Sequence, residues 1–110
     1  MEPHVLYAPL TREPGLHEDL EVLRKRVRAV EGTHVIVDLS DVDTISSASI
    51  GSLVLLYKFL HQRGQRLILC HTRLVTQSIL YVAGLSDLFE FAEDKVEALS
   101  LLHHGGTGQG

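Results

Sequence analysis

The sequence has a single cysteine, no tryptophan and no long hydrophobic run among its 110 residues. One cysteine excludes an internal disulfide, and Cys70 lies in the apolar run Leu67–Cys70, where a small buried thiol is expected. No apolar stretch reaches the length of a membrane span, and residues 1–4 do not have a signal-peptide pattern. These absences predict a cytoplasmic protein without membrane insertion.

The chain also lacks an excess of positive charge. Its formal net charge is −4 at pH 7, whereas a nucleic-acid-binding face needs clustered lysine and arginine. The basic run Arg24–Arg28 is interleaved and flanked with acidic residues along the chain, which is typical of a solvated helix face. We therefore predict that the protein does not bind nucleic acid.

Known catalytic motifs are missing as well. The chain contains neither a G-x-x-x-x-G-K-[ST] loop nor a G-x-G-x-x-G turn. The segment Ser49–Leu53 (S-I-G-S-L) differs from the G-x-S-x-G motif of serine hydrolases. The seven histidines have no metal-ligand spacing, and the pair His103-His104 would bind metal only adventitiously. We expect no catalytic residue, no metal and no cofactor, and we predict that the protein is not an enzyme.

The length and the composition, with 45% apolar and 22% charged residues, are typical of one globular domain. Strand patterns alternate with helix patterns, and Gly32, Gly64 and Gly84 each stand between a helix and the next strand. This order predicts a mainly parallel central sheet of about four strands, with about four helices. We assign residues 1–102 to a single domain and residues 103–110 to a flexible glycine-rich tail.

The individual elements follow from the apolar periodicity of each segment. Apolar residues spaced four and three apart predict a first helix over 16–30, with Val30 on its apolar face. Asp94 and Glu97 predict a capping box at the start of the last helix. The predicted strands cover residues 4–10, 35–39, 65–70 and 88–91, and the remaining predicted helices cover residues 48–63, 74–83 and 94–102.

The segment Val42–Leu60 carries the residues that bear most on function. Ser46, Ser47 and Ser49 lie where a strand gives way to a strongly apolar helix. At a helix start, the free backbone N–H groups and the helix dipole favour negative charge, such as a phosphate that is bound there or attached to a hydroxyl. At least one of the three serines is expected to cap the helix.

The helix that follows the serines is apolar on nearly all sides. Because the helices of a small α/β domain lie on the outside of its sheet, complete burial of such a helix is difficult, and a partner is expected to cover part of it. We therefore predict a protein partner that contacts Ser46, Ser47, Ser49, Ile50, Ser52, Leu53 and Leu56.

The motifs of this region resemble those of a known family. They are a strand that ends in D-L-S-x-V (38–42), the serine turn before I-G (50–51), a helix that carries Y-K (57–58) and ends in basic residues before glycine, and the motif G-L-x-x-L-F (84–89). In this order and spacing they resemble the STAS domain, the fold of bacterial anti-sigma factor antagonists. The similarity covers residues 35–102.

That resemblance implies a regulatory protein that phosphorylation can switch. In the family, a cognate anti-sigma factor kinase phosphorylates a serine of this turn, and the unmodified form binds that kinase and frees the sigma factor. The alignment implies Ser47 as the phosphorylated residue, with Ser46 and Ser49 as the alternatives. Ser46 stands where the family has an acidic residue, and Ser49 stands where it usually has glycine.

The start of the chain also departs from the family, which usually opens with a two-strand hairpin. This chain has room for one strand before its first helix. One sheet edge is then less covered, which would suit pairing with a second copy in a homodimer.

Two other functions remain open on the sequence. A STAS module that does not switch could serve as a structural subunit of a signalling assembly or beside a lipid-transport ATPase, and the departures at Ser46 and Ser49 favour this role. Alternatively, the serine turn could bind a nucleotide or another small anion, since helix starts bind anions readily.

Overall fold

Within the part of the chain that the structure describes, four strands and four helices alternate, as the sequence predicts. The structure is a computed structural model that describes residues 4–103, so residues 104–110 of the predicted tail lie outside the described residues. The elements are β1 (His4–Pro9), α1 (Gly15–Arg28), β2 (Thr33–Asp38), α2 (Ser47–Gln62), β3 (Leu67–Cys70), α3 (Leu74–Val82), β4 (Glu90–Ala92) and α4 (Lys95–His103).

The strands form one parallel sheet in the order β1-β2-β3-β4. This arrangement confirms the predicted α/β fold class and the number of strands. β1 lies at one edge of the sheet, where Pro9 at its end removes a backbone donor. Pairing of this edge with a second copy of the chain stays a prediction.

Helices cover the sheet on both faces. In β2, Val35 and Val37 face the larger core, which is shared with α1, α2 and α3. Ile36 faces the opposite side, where it packs in a smaller cluster with Cys70 and with Leu102 of α4. Consecutive apolar residues in β2 are therefore all buried, as expected for a parallel strand covered on both faces.

The first helix is shorter than its apolar periodicity predicts. Its predicted buried residues from Leu16 to Val27 are confirmed, but α1 ends at Arg28 and Val30 is 43% exposed. The backbone N–H groups of Ala29 and Val30 donate to carbonyls three residues back, at 3.1 and 3.4 Å. This tight final turn takes Val30 away from the buried face of the helix. The predicted position of Val30 was therefore wrong.

Two predicted strands begin later in the structure than in the sequence pattern. β3 begins at Leu67 because the N–H of Gln65 donates at 2.8 Å to the carbonyl oxygen of Leu60, in the turn that ends α2. β4 begins at Glu90 because the N–H of Leu88 donates at 3.0 Å to Leu85 in a turn after α3.

The predicted capping group at the start of α4 is confirmed in a slightly shifted form. The N–H of Glu97 donates to Asp94 Oδ1 at 2.8 Å, as in a capping box. The Glu97 carboxylate accepts in return from the N–H of Glu93 at 2.6 Å, one residue before the expected position.

Candidate functional site

The serine turn forms the start of α2, at the carboxyl end of the sheet. Ser46 is the N-cap residue, with extended backbone angles of φ −78° and ψ 163°. Its hydroxyl oxygen accepts a hydrogen bond from the N–H of Ser49 at 3.1 Å, and its carbonyl oxygen accepts from the N–H of Ile50 at 2.9 Å. Ser46 is therefore the serine that satisfies the helix start, which confirms the expected cap.

The three serines have different surroundings. Ser49 is fully buried, and its Oγ accepts a hydrogen bond from the Ser46 hydroxyl at 3.2 Å. Ser47 is the first residue of α2 and is exposed. Within residues 4–103, its hydroxyl has no hydrogen-bond partner. Ser47 is thus the member of the group whose hydroxyl faces solvent without a structural contact.

A carboxylate from the β1–α1 loop completes the turn. Oε2 of Glu13 accepts a hydrogen bond from the N–H of Ser46 at 2.7 Å. Burial alone would raise the pKa of Glu13, but the hydrogen bonds from the Ser46 backbone N–H and from the Ser49 hydroxyl outweigh it and lower the pKa. The turn therefore already contains one negative charge at the positive end of the helix dipole.

The sequence gives no signal that would identify Glu13 as part of this site. It lies 33 residues before Ser46 and belongs to a turn with no recognisable motif. Only the parallel sheet, which brings the loops after β1 and β2 to the same edge, places the two residues together.

Four of the predicted partner contacts lie inside the domain. Leu53 and Leu56 are 1% and 0% exposed and belong to the main core, and Ser49 and Ser52 are buried at 0% and 3%. Their side chains face α1 and the sheet, because these positions form the inner side of α2. Contact of these four residues with a partner stays a prediction, and their burial counts against it, whereas Ser46 and Ser47 are exposed and Ile50 is half-buried.

Ser52 connects α2 to α1. Its hydroxyl donates to Glu21 Oε2 at 2.6 Å and lies 3.0 Å from His17 Nδ1. The hydrogen bond from the Ser52 hydroxyl lowers the pKa of Glu21. In a serine hydrolase the hydroxyl donates to the histidine and the acid orients that histidine, whereas here the hydroxyl donates directly to the acid. The geometry is that of a contact between two helices.

The outer side of α2 presents small and apolar residues. Gly51 is exposed, and a Cβ at this position would meet no atom of the described chain within 4 Å. Leu55, one turn further along, is 49% exposed. Packing among the described residues therefore does not explain the glycine. In a helix interior, glycine makes the helix less stable than alanine does by about 1 kcal/mol.

The neighbouring helix α3 exposes more apolar surface than α2 does. Leu74, Tyr81 and Val82 are 80%, 73% and 85% exposed, and they line a groove of about 510 Å³. α3 contacts the loop before α2, since Thr76 Oγ1 donates to the Val42 carbonyl at 3.1 Å. Sequence reasoning did not identify this surface, although the segment is as apolar as α2.

A second polar cluster lies on the other face of the sheet. Asp38, Cys70 and His71 bring a carboxylate oxygen, a sulfur and a ring nitrogen within 4.8 Å of one another. No metal site is expected from the spacing of these residues in the sequence. Asp38 and Cys70 are 32 residues apart, and only the sheet register makes them neighbours.

No helix within residues 4–103 is both long enough and apolar enough to cross a membrane.

Comparison with known proteins identifies the family. The model of the STAS domain matches residues 17–98 of the chain. The chain belongs to the STAS domain family. This finding confirms the family that the sequence motifs resemble and agrees with the parallel four-stranded sheet. Among curated proteins, no sequence match to this STAS domain was found.

Solved structures share the fold at low sequence identity. The protein TM1081, studied by NMR, is 20% identical, with a TM-score of 0.75 over 87% of this chain and 79% of that chain. A crystal structure of the same protein, a candidate anti-sigma factor antagonist from Thermotoga maritima, is 19% identical, with a TM-score of 0.69 over 87% and 85% of the two chains. The STAS domain of a SulP transporter from Vibrio cholerae is 16% identical, with a TM-score of 0.77 over 99% and 88%. At these identities the likeness shows the fold alone.

Proposed function

We propose that this STAS domain is an anti-sigma factor antagonist-like regulatory protein. It binds an anti-sigma factor of the serine-kinase class through the start of α2, and phosphorylation of Ser47 releases that partner. The protein acts by binding and not by catalysis, in the cytoplasm. The observation that carries the proposal is the exposed hydroxyl of Ser47, which has no hydrogen-bond partner within residues 4–103, at the first position of a capped helix.

The choice of Ser47 over its two neighbours rests on what each hydroxyl does. Phosphate on Ser46 would remove the cap to Ser49, which contributes about 1 kcal/mol of stability. Phosphate on Ser49 would have to enter a fully buried site. A kinase can reach the Ser47 hydroxyl without disturbing either contact.

Glu13 supports the proposal by supplying an acidic group that the turn lacks in sequence. Ser46 stands where the family has an acidic residue before its phosphorylated serine, and the carboxylate of Glu13 binds the N–H of Ser46 at 2.7 Å. The negative charge therefore reaches the turn from another loop. The same carboxylate counts against a free anion at this helix start, since it already occupies one of the N–H groups.

Phosphorylation is expected to weaken the complex with the partner and to leave the fold intact. A phosphate on Ser47 adds a charge of roughly −1.5 to −2 at a helix N-terminus, where the dipole stabilises a negative charge by about 0.3–1 kcal/mol. In a closed interface, the phosphate loses its hydration and is repelled by the nearby Glu13 carboxylate. A loss of about 1.4 kcal/mol of binding free energy lowers the affinity tenfold.

The proposed contact surface combines the start of α2 with the outer sides of two helices. Its members are Ser46, Ser47, Ile50, Gly51, Leu55 and the exposed apolar residues of α3. Gly51 permits close approach of a partner, because it presents no side chain. The hydrogen bond between Thr76 and Val42 keeps α3 beside the turn.

Phosphorylation is tested with each serine-kinase anti-sigma factor encoded in the source genome. The full chain is incubated with the kinase and magnesium ATP, and its intact mass is measured. We expect a gain of about 80 Da, one phosphate group, in the wild type and in Ser46→Ala, but none in Ser47→Ala. Absence of the gain in the wild type, or its persistence in Ser47→Ala, would contradict the proposal.

A second candidate function is a structural subunit that does not switch. The fold likeness to a transporter's STAS domain and the serines at positions 46 and 49 favour it. Pull-down with Ser47→Asp as bait distinguishes the two functions. A partner that is retained by both wild type and Ser47→Asp supports the structural role, whereas a partner retained only by the wild type supports the switch.

A further inference from the structure

Three different metal-ligand types meet at the carboxyl ends of β2 and β3. The parallel register pairs Asp38 with Cys70, so both side chains project from the same face of the sheet, the face that α4 covers. His71 follows Cys70 directly. One donor atom from each residue lies within 4.8 Å of the other two. The cluster therefore combines a carboxylate oxygen, a sulfur and an imidazole nitrogen around one point.

The carboxylate of Asp38 is held by two hydrogen bonds. The Tyr7 hydroxyl donates to Oδ2, and the N–H of Ser40 donates to Oδ1 at 2.9 Å. These hydrogen bonds orient the Asp38 carboxylate, and each of its oxygens retains acceptor capacity.

The backbone that carries the other two residues is also fixed. The Cys70 carbonyl accepts from the N–H of Leu39 at 3.0 Å, and the N–H of His71 donates to the Glu93 carbonyl at 3.2 Å. His71 has a left-handed backbone conformation, with φ 54°. Its side chain is exposed whereas Cys70 is fully buried, so the cluster has one side toward solvent and one toward the protein interior.

The surroundings of Cys70 do not suit a reactive thiol. Its sulfur is fully buried, whereas redox-sensing cysteines have an accessible sulfur. The carboxylate and the imidazole whose donor atoms lie within 4.8 Å of this sulfur are instead groups that bind a metal ion.

We propose that Asp38, Cys70 and His71 form a zinc-binding site. Sulfur and nitrogen donors favour zinc over magnesium or calcium, which take oxygen ligands. When zinc binds, the S–H bond of Cys70 releases its proton to solvent and a zinc–sulfur bond forms. Three protein ligands leave the fourth tetrahedral position to water or to a group from a partner.

The charged groups near the site include residues of α4, its preceding loop and the start of α3. The ammonium group of Lys95 lies 4.5 Å from the centre of the Tyr7 ring, the negative charge of Asp94 acts on Cys70, and the Arg73 guanidinium donates at 3.4 Å to the carbonyl oxygen of Ser40. Zinc would add positive charge beside Asp38 and Asp94, which offset it. The site lies on the face of the sheet opposite α2, so its test is independent of Ser47.

Cobalt(II) serves as the spectroscopic probe, because it accepts the same ligands as zinc. The full chain, reduced and metal-free, is titrated with cobalt(II), and zinc is then added to displace it. We expect saturation at one equivalent, visible bands of tetrahedral cobalt, and a near-ultraviolet thiolate-to-cobalt charge-transfer band. Cys70→Ser is expected to lose the charge-transfer band. Absence of saturable binding in the wild type would overturn the proposal.

Further variants separate this site from other histidines and from misfolding. His71→Asn keeps a residue that tolerates the left-handed conformation, and it should weaken binding at least tenfold while circular dichroism stays unchanged. Tyr7→Phe, which removes a hydrogen bond to a ligand, should weaken binding by about 10- to 100-fold, and Tyr81→Phe should not weaken it.

His4→Asn and the double variant His103→Asn/His104→Asn should bind as the wild type does. Loss of binding in the double variant alone would assign the metal to the tail and overturn the site.

Discussion

Helices α2 and α3 are similarly apolar, yet the domain covers them to different extents. α2 buries five residues, among them Leu53 and Leu56 at 1% and 0% exposure. α3 buries only Thr76 and Leu80, and it leaves Tyr81 and Val82 at 73% and 85% exposure. Apolar content alone therefore does not predict which helix is available to a partner. The position of a helix over the sheet determines how much of its surface is buried.

The difference has a geometric origin. α2 has 16 residues, packs beside α1 and follows the central strand β2, so one long side of it must enter the core. α3 has nine residues and leads to the short edge strand β4. A short helix near the sheet edge has fewer neighbours to cover it. For this reason the contact surface that we propose includes exposed residues of α3 as well as the outer side of α2.

The largest expected effect distinguishes the inner side of α2 from the outer side of α3. Leu56→Ala should lower the free energy of unfolding by about 2–5 kcal/mol, because it leaves a cavity in the core. Val82→Ala should change it by less than about 0.5 kcal/mol, as is usual for exposed positions. Urea unfolding followed by circular dichroism measures both. Equal effects would mean that the two helices are covered alike.

A smaller effect is expected where α2 is joined to α1. Ser52→Ala removes a buried hydroxyl that bonds Glu21 and His17, and it should lower the free energy of unfolding by about 1–2 kcal/mol. Ser78→Ala, the matched change on exposed α3, should have almost no effect in the same urea experiment. A neutral Ser52→Ala would show that this contact does not stabilise α2.

The starts of the two helices provide the next comparison. Ser46 caps α2, whereas Arg73 at the start of α3 provides no side-chain cap. Ser46→Ala should therefore lower the free energy of unfolding by about 1 kcal/mol, and Ser47→Ala should leave it nearly unchanged. Thermal unfolding of the two variants checks this difference. If Ser47→Ala were the more destabilising change, Ser47 would have a structural role.

The smallest expected effect depends on pH and concerns Glu13. Because its pKa is lower in the folded protein than its ordinary value of 4.5, the carboxylate stabilises the fold above that value. This contribution is lost as the pH falls through the folded-state pKa. Unfolding at a series of pH values should show less acid sensitivity in Glu13→Gln, with a difference below about 1 kcal/mol at neutral pH. Parallel curves for the two proteins would contradict this role.

Much of the fold could be predicted because it follows from local patterns. Unbroken β-branched runs such as Val35–Val37 identify strands covered on both faces, and glycine after a helix marks its end. Gly64, for example, has a φ of 73° after α2. Val30 was misplaced because periodicity does not show where a helix stops.

The candidate site could be predicted only in part. Ser46 and Ser47 are recognisable because a cap and a helix start are local features of the chain. The contact of Glu13 with Ser46, and the cluster of Asp38, Cys70 and His71, depend on the arrangement of parallel strands, which brings together residues about 30 positions apart. The inner and outer sides of α2 could not be distinguished either, since apolar residues lie on both.

The central claim is that charge on Ser47 controls partner binding while the fold stays intact. The most direct measurement is the affinity of the purified serine-kinase anti-sigma factor for the wild type, Ser47→Ala and Ser47→Asp, by isothermal titration calorimetry. We expect similar affinities for the wild type and Ser47→Ala, a loss of at least about tenfold for Ser47→Asp, and similar unfolding curves for all three. Equal binding by Ser47→Asp and the wild type would contradict it.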